Sequence, residues 1–88
     1  MADDNLSLPE WWDWELEFTP HLLKRMVDRS FNEVDVRSML AAITDWRKST
    51  TEGRYVVTSR FQRREWEAIV EPDETSKLLI VVTAYRRD

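Results

Sequence analysis

The stretch Trp14-Glu15-Leu16-Glu17-Phe18-Thr19-Pro20-His21-Leu22-Leu23-Lys24-Arg25-Met26-Val27-Asp28-Arg29 changes its hydrophobic period in the middle. Through Phe18 it alternates apolar with acidic residues, the period of a half-buried strand with Trp14, Leu16 and Phe18 facing the core. Thr19 then supplies an N-cap and Pro20 a first helical residue, so the spacing predicts a helix running to Asp28 or Arg29. On that helix His21, Arg25 and Arg29 fall within roughly 80° of one another, beside an apolar face of Leu22, Leu23, Met26 and Val27. The sole histidine of the chain therefore shares a stripe with two permanent cations. Such a stripe suits holding a phosphate and moving a proton.

Downstream, Ser30-x-x-Glu33 fits a capping box ahead of Val36, Met39, Leu40 and Ile43, predicting a second helix from about Asn32 to Ala42. Ile43 to Lys48 reads as a short strand, and the run from Ser49 to Gly53 as a turn. The remainder reads as β structure. Arg54 to Phe61 is rich in β-branched and aromatic residues, Gln62-Arg63-Arg64 is a turn, and Trp66, Ala68 and Val70 alternate against Glu67, Ile69 and Glu71. Pro72 to Ser76 reads as the next turn, and Leu78 to Tyr85 as a central strand buried on both faces. The order β-α-α-β-β-β-β argues for an α+β domain with the helices packed on one face of a mainly antiparallel sheet. Residues 1–13 read as a flexible acidic arm and residues 14–88 as a single α+β domain.

Composition narrows the function classes. A chain of 88 residues supports one modest core, and 34% charged with 42% hydrophobic residues is normal for a folded domain. It contains no cysteine and one histidine, so neither a disulfide framework nor a thiolate metal site is available, and metal dependence is not expected. No phosphate loop or dinucleotide fingerprint is present, so no cofactor is expected. The lack of a long apolar run or of a basic start followed by an apolar core predicts a cytoplasmic protein that does not enter the membrane. The net charge of −4 opposes indiscriminate nucleic-acid binding, yet its distribution is uneven. Residues 1–45 carry ten acidic and four basic side chains, whereas residues 46–88 carry seven acidic and nine basic.

The order of elements, with Phe18-Thr19-Pro20-His21 leading into Arg25-Met26 and Arg29 and a last strand Ile80-Val81-Val82-Thr83-Ala84-Tyr85-Arg86, resembles small bacterial domains of unknown function related to the RelE-like and BrnT-like toxins. The resemblance covers about residues 14–86. It implies two N-terminal helices against a four- or five-stranded antiparallel sheet. It also implies metal-independent RNA cleavage, in which the ribose 2'-hydroxyl attacks the adjacent phosphate. His21, Arg25 and Arg29 match the histidine and basic positions of the first helix, and Thr83, Tyr85 and Arg86 the polar and aromatic end of the last strand. The chain departs from the pattern in its net acidity, its few lysines, and Ser30-Phe31 where a glycine often follows the arginine.

These readings give a catalytic set of His21, Arg25, Arg29, Thr83 and Tyr85, with Arg86 and the turn cluster Arg60, Arg63 and Arg64 contacting RNA. Chemically, the arginines can neutralise a phosphate, His21 can exchange a proton, and Tyr85 can donate a hydrogen bond or stack on a base. The alternative is a noncatalytic interaction module anchored on Trp11 and Trp12, with an antitoxin or other protein as partner. A dimer is compatible with a free edge strand, although acidic residues along the first strand resist edge pairing.

Overall fold

The computed structural model describes residues 7–87. Residues 1–6, the first part of the expected acidic arm, lie outside them. The elements are a 3-10 turn (Glu10–Asp13), β1 (Glu15–Phe18), α1 (Pro20–Arg29), α2 (Glu33–Ala41), β2 (Ile43–Lys48), β3 (Tyr55–Phe61), β4 (Arg64–Asp73) and β5 (Leu78–Arg86). The strands form one five-stranded sheet in the order β1-β5-β4-β3-β2. β2 to β5 pair antiparallel, while β1 runs parallel to β5 with Glu15 opposite Leu78 and Phe18 opposite Val81. The domain is therefore α+β with a mixed sheet.

Both helices pack on one sheet face, but of the apolar face expected for α1 only Leu22 and Met26 are buried, while Leu23 and Val27 are exposed at 49% and 79%. Leu22 and Met26 of α1 and Val36, Met39 and Leu40 of α2 join Val57, Ala68, Val70, Leu79, Val81 and Ala84 in a single core. Burying a leucine such as Leu22, which is fully enclosed, contributes roughly 2 kcal/mol. Trp14, Leu16 and Phe18 pack against this core as their alternation predicts. β5 differs from expectation, because among the described residues only its helix-side residues Leu79, Val81 and Ala84 are buried; Ile80, Thr83 and Tyr85 on the other side stay half-exposed. It is an interior strand covered on one face.

Thr19 performs the predicted capping and more. Its Oγ1 accepts a hydrogen bond from the Leu22 N–H at 3.1 Å and donates one to the Val82 carbonyl at 2.7 Å. Val82 is the extra residue of a β-bulge, since Ile69 pairs with Thr83 and the next residue, Val70, with Val81. The start of α1 is thereby tied to the point where β5 is irregular.

Two boundaries move for identifiable reasons. The capping box of α2 is formed by Asn32 and Asp35, not Ser30 and Glu33: the Asn32 side chain accepts from the Asp35 N–H, and the Asp35 carboxylate from the Asn32 N–H. Ser30 instead ends α1 in the left-handed conformation at φ 61°, with its own N–H and that of Phe31 both directed to the Met26 carbonyl. β4 likewise runs through Pro72 to Asp73, and the turn begins at Glu74. β3 starts at Tyr55 opposite Val70, so Pro72 lies past the last β3 pair, where β4 has become an edge that tolerates a missing N–H.

The packed unit also starts earlier than Trp14. Glu10–Asp13 form a turn of 3-10 helix that buries Trp11 against Tyr55 (ring centroids 4.9 Å apart) and Trp46 (5.8 Å). The Trp46 indole N–H donates to the Ser7 carbonyl at 3.0 Å.

Ser30 makes a direct test of this description. A left-handed conformation costs a non-glycine residue about 1–2 kcal/mol, partly offset by the extra chain entropy that glycine loses on folding. Ser30→Gly is expected to stabilise the domain by about 0.5–1 kcal/mol, raising Tm by roughly 4 °C in a thermal melt. A destabilised variant would show that α1 does not end this way.

Candidate nucleic-acid interface

Between α1, the start of α2 and the β3–β4 turn lies a cleft of about 550 Å³. Arg25 and Arg29 contribute from α1, Arg86 from the end of β5, and Phe61 and Trp66 from the two strands flanking the turn. Asp35 and Gln62 supply its remaining polar side chains apart from Ser30 and Tyr85 at its margin. A shallower groove of about 160 Å³ runs along α1 and is lined by His21, Lys24, Arg25, Asp28 and Arg29. Arg25 and Arg29 belong to both, so the groove leads into the cleft. His21, Arg25 and Arg29 do share one surface, as their spacing predicts.

What sets this surface apart is that its unpaired cations converge on one concavity, whereas Lys48, Arg60, Arg63 and Lys77, which also form no salt bridge among the described residues, do not line it. Lys24, Arg37, Arg47, Arg54 and Arg87 are each paired with a carboxylate. Among the described residues, Arg25, Arg29 and Arg86 form no salt bridge, and the Arg25 Nε is buried without a hydrogen-bond partner. Three fixed positive charges therefore converge on an open concavity with aromatic walls. Phosphate oxygens complement the charges, and a base or other flat ring complements the walls.

The strand end predicted from the sequence is split between two faces. Counting by alternation from the buried Leu79 and Val81 puts Thr83 and Tyr85 on the helix side. The bulge at Val82 shifts the phase by one residue. Ala84 and Arg86 consequently turn toward the helices, and Thr83 and Tyr85 turn away. Tyr85 borders the cleft, but its hydroxyl donates to Glu67 Oε1 at 2.8 Å on the opposite face. There Glu67 also meets Arg47 at 3.6 Å and Arg87 at 3.5 Å. Thr83 pairs with Ile69, and its hydroxyl is buried without a partner. Tyr85 thus shares the cleft lining with Arg25, Arg29 and Arg86 while its hydroxyl is engaged by Glu67, and Thr83 lines neither the cleft nor the His21 groove.

The other expected contacts are also redistributed. Gln62 and Arg63 form a tight turn with φ of 53° and 67°, and Arg60 and Arg64 sit on the strands either side of it. Alternation places Arg60 on the face of Thr58 and Glu67 and Arg64 on the face of Trp66, so the trio does not form one patch. Gln62, not these arginines, lines the cleft. Trp11 is 8% exposed and Trp12 half-buried, with their rings 6.1 Å apart. Trp11 is consumed by the core and cannot serve as the exposed anchor of an interface.

Phe61, Trp66 and Asp35 are the residues that the sequence reading missed. Their signal was the pair of aromatic residues bracketing a turn, together with a carboxylate one helical turn after Phe31. Among the described residues, no group of three or more His, Asp or Glu side chains is placed to hold a metal ion, and no helix is long and apolar enough to cross a membrane. Comparison of the chain with known protein families, curated proteins and solved structures yields no match.

The opposite face offers its own check. Burial raises the Tyr85 pKa above its ordinary 10, helped by the hydrogen bond to Glu67 and that carboxylate's charge and opposed by Arg47 and Arg87. A folded-state pKa above the unfolded value means stability that is fully present below pH 10 and lost as pH rises through the elevated pKa. Tyr85→Phe is expected to flatten the alkaline fall in stability, measured by urea unfolding from pH 8 to 11.5, at a cost of about 1 kcal/mol near neutrality. It should leave ligand binding in the cleft unchanged.

Proposed function

We propose that the protein binds single-stranded RNA in the cleft, with backbone phosphates on Arg25, Arg29 and Arg86 and a base against Phe61 and Trp66. The observation that carries this reading is the convergence of three arginines without salt bridges on one aromatic-walled concavity. The net negative charge of the chain supports local engagement, because the remaining surface repels a polyanion. The choice of RNA over DNA rests on the likeness of the chain to RelE-like toxins.

A second reading adds metal-independent cleavage. Its support is His21, exposed at the start of α1 in the groove that leads into the cleft. In that scheme an arginine holds the scissile phosphate and His21 accepts the proton from the attacking 2'-hydroxyl; the P–O5' bond breaks as the 2'-oxygen bonds to phosphorus, giving a 2',3'-cyclic phosphate and a 5'-oxygen that takes a proton from water. Thr83 and Tyr85 take no part. A protein-interaction role anchored on Trp11 and Trp12 is left with the half-buried Trp12, since Trp11 is buried.

Salt dependence is the sharpest test of binding. Each phosphate neutralised on a single strand contributes about −0.7 to the slope of log K against log salt, so three contacts predict a slope of about −2. Changing Arg25, Arg29 and Arg86 together to glutamine should abolish that slope and most of the affinity, whereas the same change at Arg60 and Arg63 should alter it little. Equal binding by the cleft variant would refute the assignment. On a mixed RNA pool without metal, His21→Ala should retain binding and lose any cleavage the wild type shows.

A further inference from the structure

The cleft contains one feature that phosphate binding leaves unexplained. Asp35 lines it together with Arg25, Arg29 and Arg86, although a carboxylate repels the phosphate those arginines attract. It does not serve to neutralise them, because among the described residues Asp35 forms no salt bridge with any arginine. Its hydrogen bond through Oδ2 to the Asn32 N–H, at 3.0 Å, caps α2. An ionised carboxylate has about four acceptor sites. One cap bond leaves Oδ1 and part of Oδ2 available on the half-exposed side chain.

We propose that Asp35 is a specificity-determining residue that selects a guanine base in this cleft, a proposal that rests on the RNA reading above. The argument is the hydrogen-bond pattern of the base edges. Guanine presents two adjacent donors, N1–H and the N2 amino group, which a single carboxylate accepts together. Adenine and cytosine each present one amino donor beside a ring-nitrogen acceptor, and uracil one N–H between two carbonyls. In each of those three a carboxylate meets at least one acceptor lone pair, which repels it. Single-stranded RNA leaves this edge free to be read, with the ring lying on an aromatic wall such as Trp66 or Phe61. The O6 and N7 acceptors of guanine then find donors among the arginines and the amide of Gln62, all of which line the same cleft.

The test uses four heptamers of uridine carrying a single central G, A, C or U, with affinity read by fluorescence anisotropy. The wild type is expected to bind the guanine heptamer about tenfold more tightly than the others. Asp35→Asn keeps an acceptor for the Asn32 N–H, so α2 stays capped, but it replaces half of the two-acceptor edge by a donor. In that variant the preference should fall to within about twofold, with the salt slope unchanged and circular dichroism confirming the fold. Equal affinity of the wild type for all four heptamers, with the salt slope retained, would overturn guanine selection and leave RNA binding intact. A retained tenfold preference in Asp35→Asn would overturn the role of Asp35. Absence of binding to every heptamer would overturn both readings.

Discussion

The rest of the structure depends on one hydrogen bond, from the Thr19 hydroxyl to the Val82 carbonyl at 2.7 Å. Thr19 stands where the parallel strand β1 becomes helix α1, and Val82 is the extra residue of the bulge in β5. The same oxygen accepts the Leu22 N–H, so one side chain closes the first turn of α1 and anchors that turn to the sheet. The backbone reinforces the join, with the Thr19 N–H donating to the Val81 carbonyl at 3.3 Å. Between them these contacts settle where α1 lies and which residues of β5 it meets.

The bulge divides the end of β5 into two environments. On the helix side, Arg86 joins Arg25 and Arg29 around Phe61 and Trp66, and the positive charge is left without carboxylate partners. On the other side, Tyr85, Arg47 and Arg87 surround Glu67, and Arg87 also meets Glu65, so two arginines face two carboxylates. Glu67 is buried while the arginine side chains reach solvent, and a network whose cations are paired attracts a polyanion less than the unpaired arginines of the cleft. Neighbouring residues of a single strand thus supply an attractive surface on one face and a neutral one on the other.

The fold was largely legible because its signals are local. The change from period two to period 3.6 at Thr19-Pro20 located β1 and α1, and β-branched runs located β3 and β5. The parallel β1–β5 pair was not legible, since nothing within four residues of β1 names its neighbour across sixty positions of chain. The capping box of α2 was misread because Ser30 and Asn32 both precede a carboxylate by three residues; the left-handed end of α1 takes Ser30 and leaves Asn32 to cap. Of the site, the stripe of His21, Arg25 and Arg29 followed from helical geometry alone. Thr83 and Tyr85 entered it through the resemblance, which matched the end of the last strand as a unit; the bulge splits that end between two faces, and a bulge has no dependable signature in a run as uniform as Ile80-Val81-Val82. Arg60, Arg63 and Arg64 looked like one cluster because adjacency in a turn conceals that its two strands alternate independently.

The central claim is that the Val82 bulge, held by Thr19, turns the Arg86 side chain into the proposed RNA cleft and the Tyr85 hydroxyl away from it toward Glu67. The most direct measurement is an NMR titration of the isotope-labelled protein with a short single-stranded RNA, following backbone amides, arginine side chains and the Trp66 indole. The account predicts shifts at Arg25, Arg29, Trp66, Ala84 and the Arg86 side chain, with Arg47, Glu67 and the side chain of Tyr85 undisturbed. Shifts concentrated on Arg47, Tyr85 and Arg87 would put the ligand on the opposite face of the sheet and contradict it.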